Sequence, residues 1–263
     1  MKTALVTGAA QGVGFATAGA LSRCGYEVIL VDLKPLDDAV QRLGHVASVQ
    51  LRGITGDVAS EQFALKLADE IARRHGALDV LVNNAGVSLI CPAEQTTVAQ
   101  WQRVMNINLL GPFLLCKALG AQMLARGGGS IVNVASIAGL AGVSQRSAYN
   151  ASKHGLVGLT RTLAGEWGGR GVRVNAVCPG WIKTEMDVAD QGSGAYSDRD
   201  IIDRVPMARF AKPDDVAQAI AFLADDKLSG FINGVSLPVD GGWIADASWE
   251  SLRTRTRVGG ASG

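Results

Sequence analysis

The sequence is poor in aromatic residues, nearly neutral, and without a cluster of basic residues in its body. Aromatic residues make up 5% of the 263 positions, and the formal net charge is +1. Nucleic-acid-binding proteins usually concentrate basic residues on one face, so nothing here indicates a nucleic-acid partner. Hydrophobic residues reach 48%, which excludes a chain that is disordered throughout and predicts a large core.

Cysteine and histidine are scarce, and neither shows the spacing of a disulfide framework or a metal site. The four cysteines are Cys24, Cys91, Cys116 and Cys178. The three histidines are His45, His75 and His154. Because no C-x-x-C pair occurs, we interpret the cysteines as buried free thiols in a reducing compartment. The histidines lack ligand spacing, so we expect solvated surface or helix-end residues and no metal.

Long apolar segments are also missing from the pattern. We find no apolar run approaching the roughly 20 residues that a bilayer span requires. The start of the chain runs directly into a predicted strand, without the charged and apolar regions of a signal peptide. We therefore expect a cytoplasmic protein with no membrane partner.

Short β-branched runs alternate with longer helical patterns. The candidate strands cover residues 3–7, 27–32, 49–56, 78–83, 130–135, 172–178 and 234–239. The candidate helices lie near residues 12–24, 60–75, 98–125, 148–168 and 213–224. Because this alternation requires crossover connections, we predict an α/β fold: a single Rossmann-type, doubly wound parallel sheet with helices on both faces. Such folds bind ligands outside the carboxyl ends of their strands.

Two segments depart from this alternation. Residues 184–212 show no clear period and contain many charges, and a loop of this length is usually functional or disordered. Residues 245–263 end in arginines and a Gly/Ser terminus, which is typical of a frayed tail. We predict one catalytic domain over residues 1–244 and a tail over residues 245–263.

The first predicted strand runs into a glycine-rich turn that opens a helix. The turn contains Gly8, Gln11, Gly12, Val13 and Gly14, with glycines spaced G-x-x-x-G-x-G. Glycines allow a sharp turn and a close approach to a pyrophosphate, and the helix N-terminus offers free N–H groups. The position after the first strand favours a dinucleotide site, although the spacing differs from the common G-x-G-x-x-G.

Two carboxylates follow the next two predicted strands. Asp32 ends the second strand, where it can accept hydrogen bonds from the adenosine ribose of NAD, or cap the next helix. Asp57, followed by Val58, is placed to meet the adenine edge, and a helix cap is the equally weighted alternative. Together with the glycine turn, Asp32 predicts NAD as the cofactor.

Tyr149 and Lys153 are four residues apart on one predicted helix, so they share a face. A nearby cation favours phenolate over phenol, which would let Tyr149 exchange a proton with an alcohol near neutral pH. Ser136, after the fifth strand, would hydrogen-bond the same substrate oxygen. The three residues predict acid–base catalysis of hydride transfer to or from a nicotinamide.

Five motifs in this order resemble the short-chain dehydrogenase/reductase family in its compact form of about 250 residues. They are Gly8-Ala9-Ala10-Gln11-Gly12-Val13-Gly14, Asn83-Asn84-Ala85-Gly86, Ser136, Tyr149-Asn150-Ala151-Ser152-Lys153 and Pro179-Gly180. The resemblance covers residues 1–244, and Gly241-Gly242 matches the family's usual C-terminal strand end. It implies an NAD-dependent alcohol dehydrogenase or ketone reductase.

The resemblance also implies roles for further residues. Asn108 resembles the family's fourth catalytic residue, which holds a water that links the lysine to solvent, with Asn106 as a possible rival. Asn84 either contacts the cofactor or fixes the central strand. The remaining cofactor contacts implied are Ala85, Gly86, Tyr149, Lys153, Pro179, Gly180, Ile182 and Thr184. Residues of about 185–212 would form a lid over the substrate, and the helices near 98–125 and 148–168 would pair subunits into a homodimer or homotetramer.

The substrate is poorly encoded. The substrate-pocket candidates by family position are Ser88, Ser136, Ile137, Leu140, Ser144, Trp181 and Met186. Their mostly apolar character favours a ketone or secondary alcohol with an apolar body, while Ser88 and Ser144 leave room for a polyol or sugar. Arg146 could meet an anionic substrate or be an exposed cation.

Three other functions are compatible with parts of the pattern. A 3-oxoacyl thioester reductase usually prefers NADP(H), against which Asp32 argues. A non-catalytic NAD(H)-binding sensor would not require the intact Ser136, Tyr149 and Lys153. A sugar-nucleotide epimerase would carry an extra C-terminal substrate domain that this chain lacks. We therefore favour the small-molecule alcohol or ketone oxidoreductase.

Overall fold

The computed structural model describes residues 2–45, 47, 49–184, 188, 190, 192 and 196–253. Its strands are β1 (Thr3–Thr7), β2 (Glu27–Asp32), β3 (Leu51–Thr55), β4 (Val80–Asn83), β5 (Gly129–Val134), β6 (Val172–Pro179) and β7 (Ser236–Val239). They form one sheet in the order β3-β2-β1-β4-β5-β6-β7, and every neighbouring pair is parallel. The order reverses between β1 and β4, which is where such sheets open a ligand crevice.

Helices connect the strands as crossovers. They are α1 (Gly12–Arg23), α2 (Asp37–Gly44), α3 (Glu61–His75), α4 (Val98–Met105), α5 (Gly111–Arg126), α6 (Ser147–Trp167), α7 (Asp198–Arg204), α8 (Pro213–Ala224) and α9 (Asp226–Ser229). Short 3₁₀ turns lie at Ala93–Gln95, Ile137–Gly139 and Gly168–Arg170.

The helices cover both faces of the sheet. Val6 of β1 packs in a core with Leu21 of α1 and Ile220 of α8. Leu5, the preceding residue, points to the opposite core, which includes Leu119 of α5. Alternate residues of a strand point to opposite faces, so β1 is buried on both sides and reads as an apolar run. The predicted doubly wound parallel fold is confirmed.

Strand and helix positions agree closely with the sequence prediction, except at element ends. The bounds of β1 and β2 are confirmed, whereas β3 begins at Leu51 and not at residue 49, and β7 begins at Ser236 and not at residue 234. Three helices were missed by the prediction. Helix α2 is only eight residues long, α7 lies inside the segment that showed no period, and α9 has only four residues.

Helix α7 has a local signal that periodicity alone does not detect. The Ser197 hydroxyl accepts a hydrogen bond from the Asp200 N–H, and the Asp200 carboxylate accepts one from the Ser197 N–H at 2.8 Å. This capping box satisfies otherwise unpaired donors at the helix start. The expectation of a segment without regular structure over residues 184–212 is therefore wrong for residues 198–204.

The predicted continuous helix over residues 98–125 is interrupted. A π-helical turn at Asn106–Leu110 separates α4 from α5, and the N–H of Gly111 bonds the carbonyl of Asn106. Pro112 has no N–H to donate to the carbonyl of Asn108, its α-helical partner, so regular i to i−4 bonding cannot pass this point.

The same stretch shows that the expectation of no apolar segment long enough to span a bilayer is wrong. Val98–Arg126 is long and apolar enough, by length and composition alone, to cross a membrane. Half of the 18-residue window that meets this test is buried inside the fold, as in the core helix of a globular domain.

Three side chains also differ from expectation. Cys24 is exposed, because it lies at the end of α1, and Cys91 is only partly buried, whereas Cys116 and Cys178 are buried as predicted. His75 is a helix-end residue as expected, since it ends α3, but its side chain is only 14% exposed and its Nδ1 lies 3.6 Å from the Glu27 carboxylate.

The chain after the last strand remains tied to α7 as far as it is described. Arg204 donates to the carbonyl oxygens of Trp243 and Asp246 at 3.2 and 3.0 Å. The expectation of fraying from residue 245 therefore does not describe the chain around Asp246. Residues 254–263 of the predicted tail lie outside the described residues.

Candidate active site

A cavity of about 520 Å³ opens at the carboxyl ends of the central strands. The predicted site residues that line it are Gly8, Gln11, Gly12, Val13, Asp32, Asp57, Val58, Asn84, Ala85, Gly86, Ser136, Ile137, Tyr149, Lys153, Pro179, Gly180, Trp181, Ile182 and Thr184. These residues come from loops after β1, β2, β3, β4, β5 and β6 and from helix α6. The parallel sheet thus gathers at one edge motifs that are far apart in sequence.

The glycine turn forms one end of this cavity. Gly8 and Gly12 have φ values of 64° and 57°, in the left-handed region that favours glycine. Gly14 does not line the cavity. A Cβ atom there would lie 2.1 Å from the carbonyl oxygen of Gly8, so Gly14 permits α1 to pack against the turn.

The start of α1 offers unpaired backbone donors toward the cavity. Gln11 is the residue preceding the helix, and its side chain makes no capping hydrogen bond. The side-chain oxygen of Gln11 instead accepts from Nζ of Lys34 at 2.8 Å. A helix N-terminus left without a side-chain cap is suited to an anion such as a phosphate.

Backbone amides hold Asp32 beside the glycine turn. One carboxylate oxygen accepts from the N–H of Ala10 at 3.0 Å, and the other accepts from the N–H of Lys34 at 3.0 Å. Helix α2 begins after Leu36, so Asp32 does not cap it. The helix-cap alternative for Asp32 is therefore wrong, and Asp32 lines the cavity.

Asp57 also lines the cavity and does not cap a helix. Its carboxylate accepts from the N–H of Ala59 at 2.9 Å, within a local turn. The cap of α3 is Ser60, whose hydroxyl accepts from the N–H of Phe63 at 3.2 Å.

Asn84 fixes the end of the central strand, one of the two roles that the sequence left open, and it also lines the cavity. Its side-chain N–H₂ donates to the carbonyl oxygens of Thr7 and Gly8 at 2.8 and 3.1 Å, which ties the end of β4 to the glycine turn. The Thr7 hydroxyl in turn accepts from the N–H groups of Asn84 and Ala85. Asn84 is therefore a structural brace that also forms part of the cavity wall.

Ser136, Tyr149 and Lys153 meet where α6 crosses the end of β5. Nζ of Lys153 lies 5.6 Å from the centre of the Tyr149 ring and donates to the carbonyl oxygen of Val134 at 2.8 Å. The Ser136 hydroxyl accepts from the N–H of Ala138 at 3.1 Å. The i, i+4 spacing on α6 thus places a phenol and an ammonium on the cavity side of the helix.

The electrostatics of this group are set mainly by burial. Desolvation raises the pKa of Tyr149, while a hydrogen bond with Ser136 and the positive charge of Arg146 lower it, and the charge of Asp190 raises it. Burial lowers the pKa of Lys153 to about 8. The cation that lowers the pKa of the phenol is therefore Arg146 and not Lys153, as the sequence had suggested, and burial outweighs it.

Asn108 lies in the π-helical turn and is fully buried. Its side chain bonds both backbone groups of Val87 and donates to the Ser152 hydroxyl at 3.1 Å. Neither Asn108 nor its rival Asn106 lines the cavity. The side-chain oxygen of Asn106 accepts a hydrogen bond from Gln102, one helix turn earlier, at 2.7 Å. Asn108 thus positions the loop after β4 against α6.

The segment after β6 closes the cavity on the side of β7. Lys183 donates its N–H to the carbonyl of Ala211, and Ile182 forms an isolated parallel bridge with Ala211. A Cβ atom on Gly180 would lie 2.9 Å from Asp240, so only glycine fits between the end of β6 and that loop.

The predicted substrate residues separate into three groups. Ser136, Ile137 and Trp181 line the cavity, and Ser88 contacts it indirectly through hydrogen bonds to Arg146 and Asp190. Leu140 packs in a small core under α6, and Ser144 is exposed; neither lines the cavity. Met186 lies outside the described residues.

Sequence reasoning missed part of the cavity wall. Asp190 and Tyr196 line it, and the Tyr196 ring lies 4.9 Å from that of Trp181. Arg146 also lines it and is 8% exposed, so the exposed-cation alternative is wrong. No local signal distinguishes a buried arginine from an exposed one, because its partners are distant in sequence.

The described residues contain no group of three or more His, Cys, Asp or Glu side chains that could hold a metal ion. The polar groups around the cavity are instead backbone amides, hydroxyls, carboxylates and cations. Such a set suits an organic ligand with phosphate and hydroxyl groups.

The chain is similar to a large set of dehydrogenases and reductases. The family described as "Enoyl-(Acyl carrier protein) reductase" matches residues 8–244. The chain is 43% identical over 244 residues to D-threitol dehydrogenase of Mycolicibacterium smegmatis, covering 92% of each protein. It is 42% identical to cis-4-hydroxycyclohexanecarboxylate dehydrogenase of Sinomonas cyclohexanicum, covering 93% of this chain and 97% of the relative.

Solved structures agree with these sequence matches. An actinorhodin polyketide ketoreductase variant, crystallised with NADPH, is 35% identical to this chain. The match has a TM-score of 0.87 and covers 92% of this chain and 97% of the ketoreductase.

Proposed function

This chain belongs to the short-chain dehydrogenase/reductase family, and from that membership we propose that it interconverts a secondary alcohol and a ketone with NAD(H). One observation carries the proposal. Ser136 and Tyr149 lie in the same cavity as Asp32 and the glycine turn. Asp32 ends β2 and Ser136 follows β5, and β1 and β4 lie between those two strands in the sheet.

The cavity has the features that a dinucleotide requires. The turn passes so close to α1 that a Cβ on Gly14 would overlap the Gly8 carbonyl, and the helix start has no side-chain cap. We propose that these amides receive the pyrophosphate, that Asp32 receives the ribose hydroxyls, and that Asp57 and Val58 flank the adenine. When bound, the nicotinamide supplies the hydride chemistry.

The residues after β4 and β6 would hold the nicotinamide half. Asn84, Ala85 and Gly86 line one wall, and the second wall is formed by Pro179, Gly180, Ile182 and Thr184. Both walls end beside Tyr149 and Lys153, so a cofactor lying along the cavity would bring its reactive ring to the phenol.

We assign proton transfer to Tyr149. In alcohol oxidation its phenolate takes the hydroxyl proton, and in ketone reduction its phenol returns a proton to the substrate oxygen. Ser136 orients that oxygen through a hydrogen bond. Lys153 holds the region around the phenol positive at neutral pH, and Asn108 keeps the loop beside it in place.

Asp32 favours NAD over NADP in this proposal. A 2′-phosphate would be placed against a carboxylate, which is a like-charge contact. Lys34 is the opposing feature, because its ammonium lies at the same end of the cavity, bound to Gln11. We weigh the fixed carboxylate above the exposed and flexible ammonium.

Exposed apolar side chains on α4 and α5 support a proposal about subunit assembly. Val98, Trp101, Leu110 and Phe113 are exposed on α4, the π-helical turn and α5. Exposed large apolar side chains on neighbouring turns often mark a subunit contact, and they support the proposed homodimer or homotetramer. We propose residues 1–244 as the catalytic domain, with the segment of about 185–212 over the substrate, and a cytoplasmic location.

The relatives' names do not agree on one substrate. They include a threitol dehydrogenase and a hydroxycyclohexanecarboxylate dehydrogenase. The site therefore supports the reaction class, and the relatives' names do not identify the substrate.

The test is a panel of secondary alcohols with NAD and ketones with NADH, followed by the absorbance of NADH. Turnover of at least one pair, lost on Tyr149→Phe, is the expected result. Tight NADH binding with no turnover of any alcohol or ketone would contradict the enzyme assignment and favour an NAD(H) sensor.

A further inference from the structure

Arg146 is a buried cation at the substrate end of the cavity, next to the acid–base group. It immediately precedes α6, and its guanidinium carbon lies 5.9 Å from the centre of the Tyr149 ring and 5.4 Å from the Trp181 ring. Burying a guanidinium is costly unless it is paired, so its retention beside the reacting centre requires an explanation.

Two polar partners hold the guanidinium through one nitrogen. Nη1 lies 2.7 Å from the Ser88 hydroxyl and 2.9 Å from the Asp190 carboxylate, and the Ser88 hydroxyl donates to that carboxylate at 3.0 Å. The three side chains form a closed triangle whose formal charge is zero. The N–H groups on Nε and Nη2 make no protein hydrogen bond among the described residues, yet neither nitrogen is sealed from solvent.

The backbone is also constrained at this point. Gln145 has a φ of 60°, which is unfavourable for a residue with a side chain. The N–H of Cys91 donates to the carbonyl of Gln145 at 2.8 Å, and Cys91 forms an isolated bridge with Arg146. Backbone strain of this kind persists where the surrounding structure enforces it, and it is found often at ligand sites.

We propose that Arg146 makes this enzyme selective for neutral, hydroxyl-rich substrates, by donating Nε and Nη2 hydrogen bonds to a hydroxyl group next to the reacting carbinol. The proposal rests on the proposed alcohol–ketone chemistry and names the substrate class of that site. It treats Arg146 as a specificity-determining residue, with Ser88 and Asp190 as the residues that position it.

Hydroxyl selectivity follows from the unpaired donors. A substrate with a vicinal hydroxyl accepts hydrogen bonds from the Nε and Nη2 groups of Arg146. A simple alcohol would place a methylene group against these N–H groups and leave them unpaired. Sites built to hydrogen-bond a hydroxyl group discriminate strongly against the analogue that lacks it.

Neutrality follows from Asp190. The carboxylate already compensates the charge of Arg146, so an anionic substrate would gain little attraction and would approach a like charge. A neutral polyol needs no net charge at the site and can use the oriented guanidinium as a donor.

The experiment compares three substrates on matched skeletons with NAD: butane-2,3-diol, butan-2-ol and the anion 3-hydroxybutyrate. The variants are Arg146→Met, which keeps an unbranched chain without donors, Arg146→Lys, and Asp190→Asn. Arg23→Met is the control, because Arg23 is an exposed arginine on α1 outside the cavity, 3.9 Å from Asp214.

The wild type is expected to use the diol at least ~10-fold better than butan-2-ol in kcat/KM, on the scale of one charge-assisted hydrogen bond. Arg146→Met should lower this ratio by ~10-fold or more, mainly through KM for the diol, with partial rescue by Arg146→Lys. Asp190→Asn should raise the relative use of 3-hydroxybutyrate. Because a change acting through Tyr149 affects all substrates alike, the ratio isolates the hydrogen bond.

Three results would overturn the proposal: a wild-type preference for the anion, a diol ratio unchanged by Arg146→Met, or equal losses on all substrates. A protein that oxidises butan-2-ol but shows no diol preference fails this proposal alone. If no alcohol is turned over, the proposed function fails. In that case the hydroxyl-binding role of Arg146 is tested by thermal unfolding of the NADH complex. The role stands if the diol raises the Tm of the wild type but not of Arg146→Met, and it fails if the diol has the same effect on both.

Discussion

Arg146 and Tyr149 are in electrostatic contact across the cavity, with the guanidinium carbon 5.9 Å from the centre of the phenol ring. Arg146 is the charged group that lowers the pKa of Tyr149, against the larger opposing effect of desolvation, and Asp190 raises it. Residues outside the motif of Ser136, Tyr149 and Lys153 therefore contribute to the protonation of its central residue.

This relationship predicts opposite pH shifts for two variants. Arg146→Met removes the cation that lowers the pKa of Tyr149 while Asp190, which raises it, stays in place, so the pKa of Tyr149 rises and the activity limb for alcohol oxidation moves to higher pH. Asp190→Asn removes the anion, so the limb moves to lower pH. The measurement is the pH profile of kcat/KM with butan-2-ol, and shifts of the same sign in both variants would contradict this account.

Tyr149→Phe retains the ring and removes the proton that is transferred. We expect kcat to fall by at least ~10²-fold, the scale of general acid–base catalysis, with NADH binding retained. Tyr26→Phe is the control, because Tyr26 is a buried tyrosine outside the cavity. Steady-state kinetics and NADH fluorescence titration measure the two effects, and near-normal turnover by Tyr149→Phe would exclude the proposed mechanism.

Lys153 should make the free protein less stable at neutral pH than its apolar variant. Burial lowers the pKa of Lys153 from 10.5 to about 8, so the unfolded chain binds the proton more strongly, and wild-type stability rises between about pH 8 and pH 10.5. At pH 7 the wild type carries the full destabilisation, which is on the order of 3 kcal/mol at 1.36 kcal/mol per pKa unit. Loss of the hydrogen bond to Val134 offsets about 1 kcal/mol of it.

We therefore expect Lys153→Met to be more stable than the wild type by about 2 kcal/mol at pH 7, with the difference decreasing toward pH 10. Urea unfolding at several pH values measures it, and the same variant should be nearly inactive. Lys117→Met, which removes an exposed ammonium paired with Glu61, is the control. A stability difference that does not change with pH would show that Lys153 is not a buried titrating group.

Asp32 should determine the choice between NAD and NADP. We expect the wild type to prefer NAD by at least ~10²-fold in kcat/KM, because a 2′-phosphate would meet the carboxylate at the cost of several kcal/mol. Asp32→Ser should reduce that preference strongly, and Lys34→Ala should increase it by removing the cation at Gln11.

Kinetics with both cofactors on all three proteins test this expectation. Asp38→Ser is the matched control, because Asp38 is an exposed carboxylate on α2, paired with Arg42. Equal efficiency with NADP in the wild type would remove Asp32 from its proposed role and favour an NADPH-dependent reductase.

Much of the fold was predictable because its signals are local. The apolar runs of β1 and β2, buried on both faces, and the glycine turn between β1 and α1 are encoded within a few residues. Helices α2, α7 and α9 were missed, because eight or fewer residues span about two helical turns at most and show too little of the helical period to be recognised.

The sequence by itself determined the pairing of Tyr149 with Lys153, since i, i+4 spacing on any helix places two side chains on one face. It could not determine what surrounds them. Arg146 is paired with Ser88, 58 residues earlier in the chain, and with Asp190, which follows β6. The fold of the parallel sheet brings these two distant segments to Arg146. Whether a cation is exposed or paired depends on contacts between distant segments, and only the tertiary structure decides those contacts.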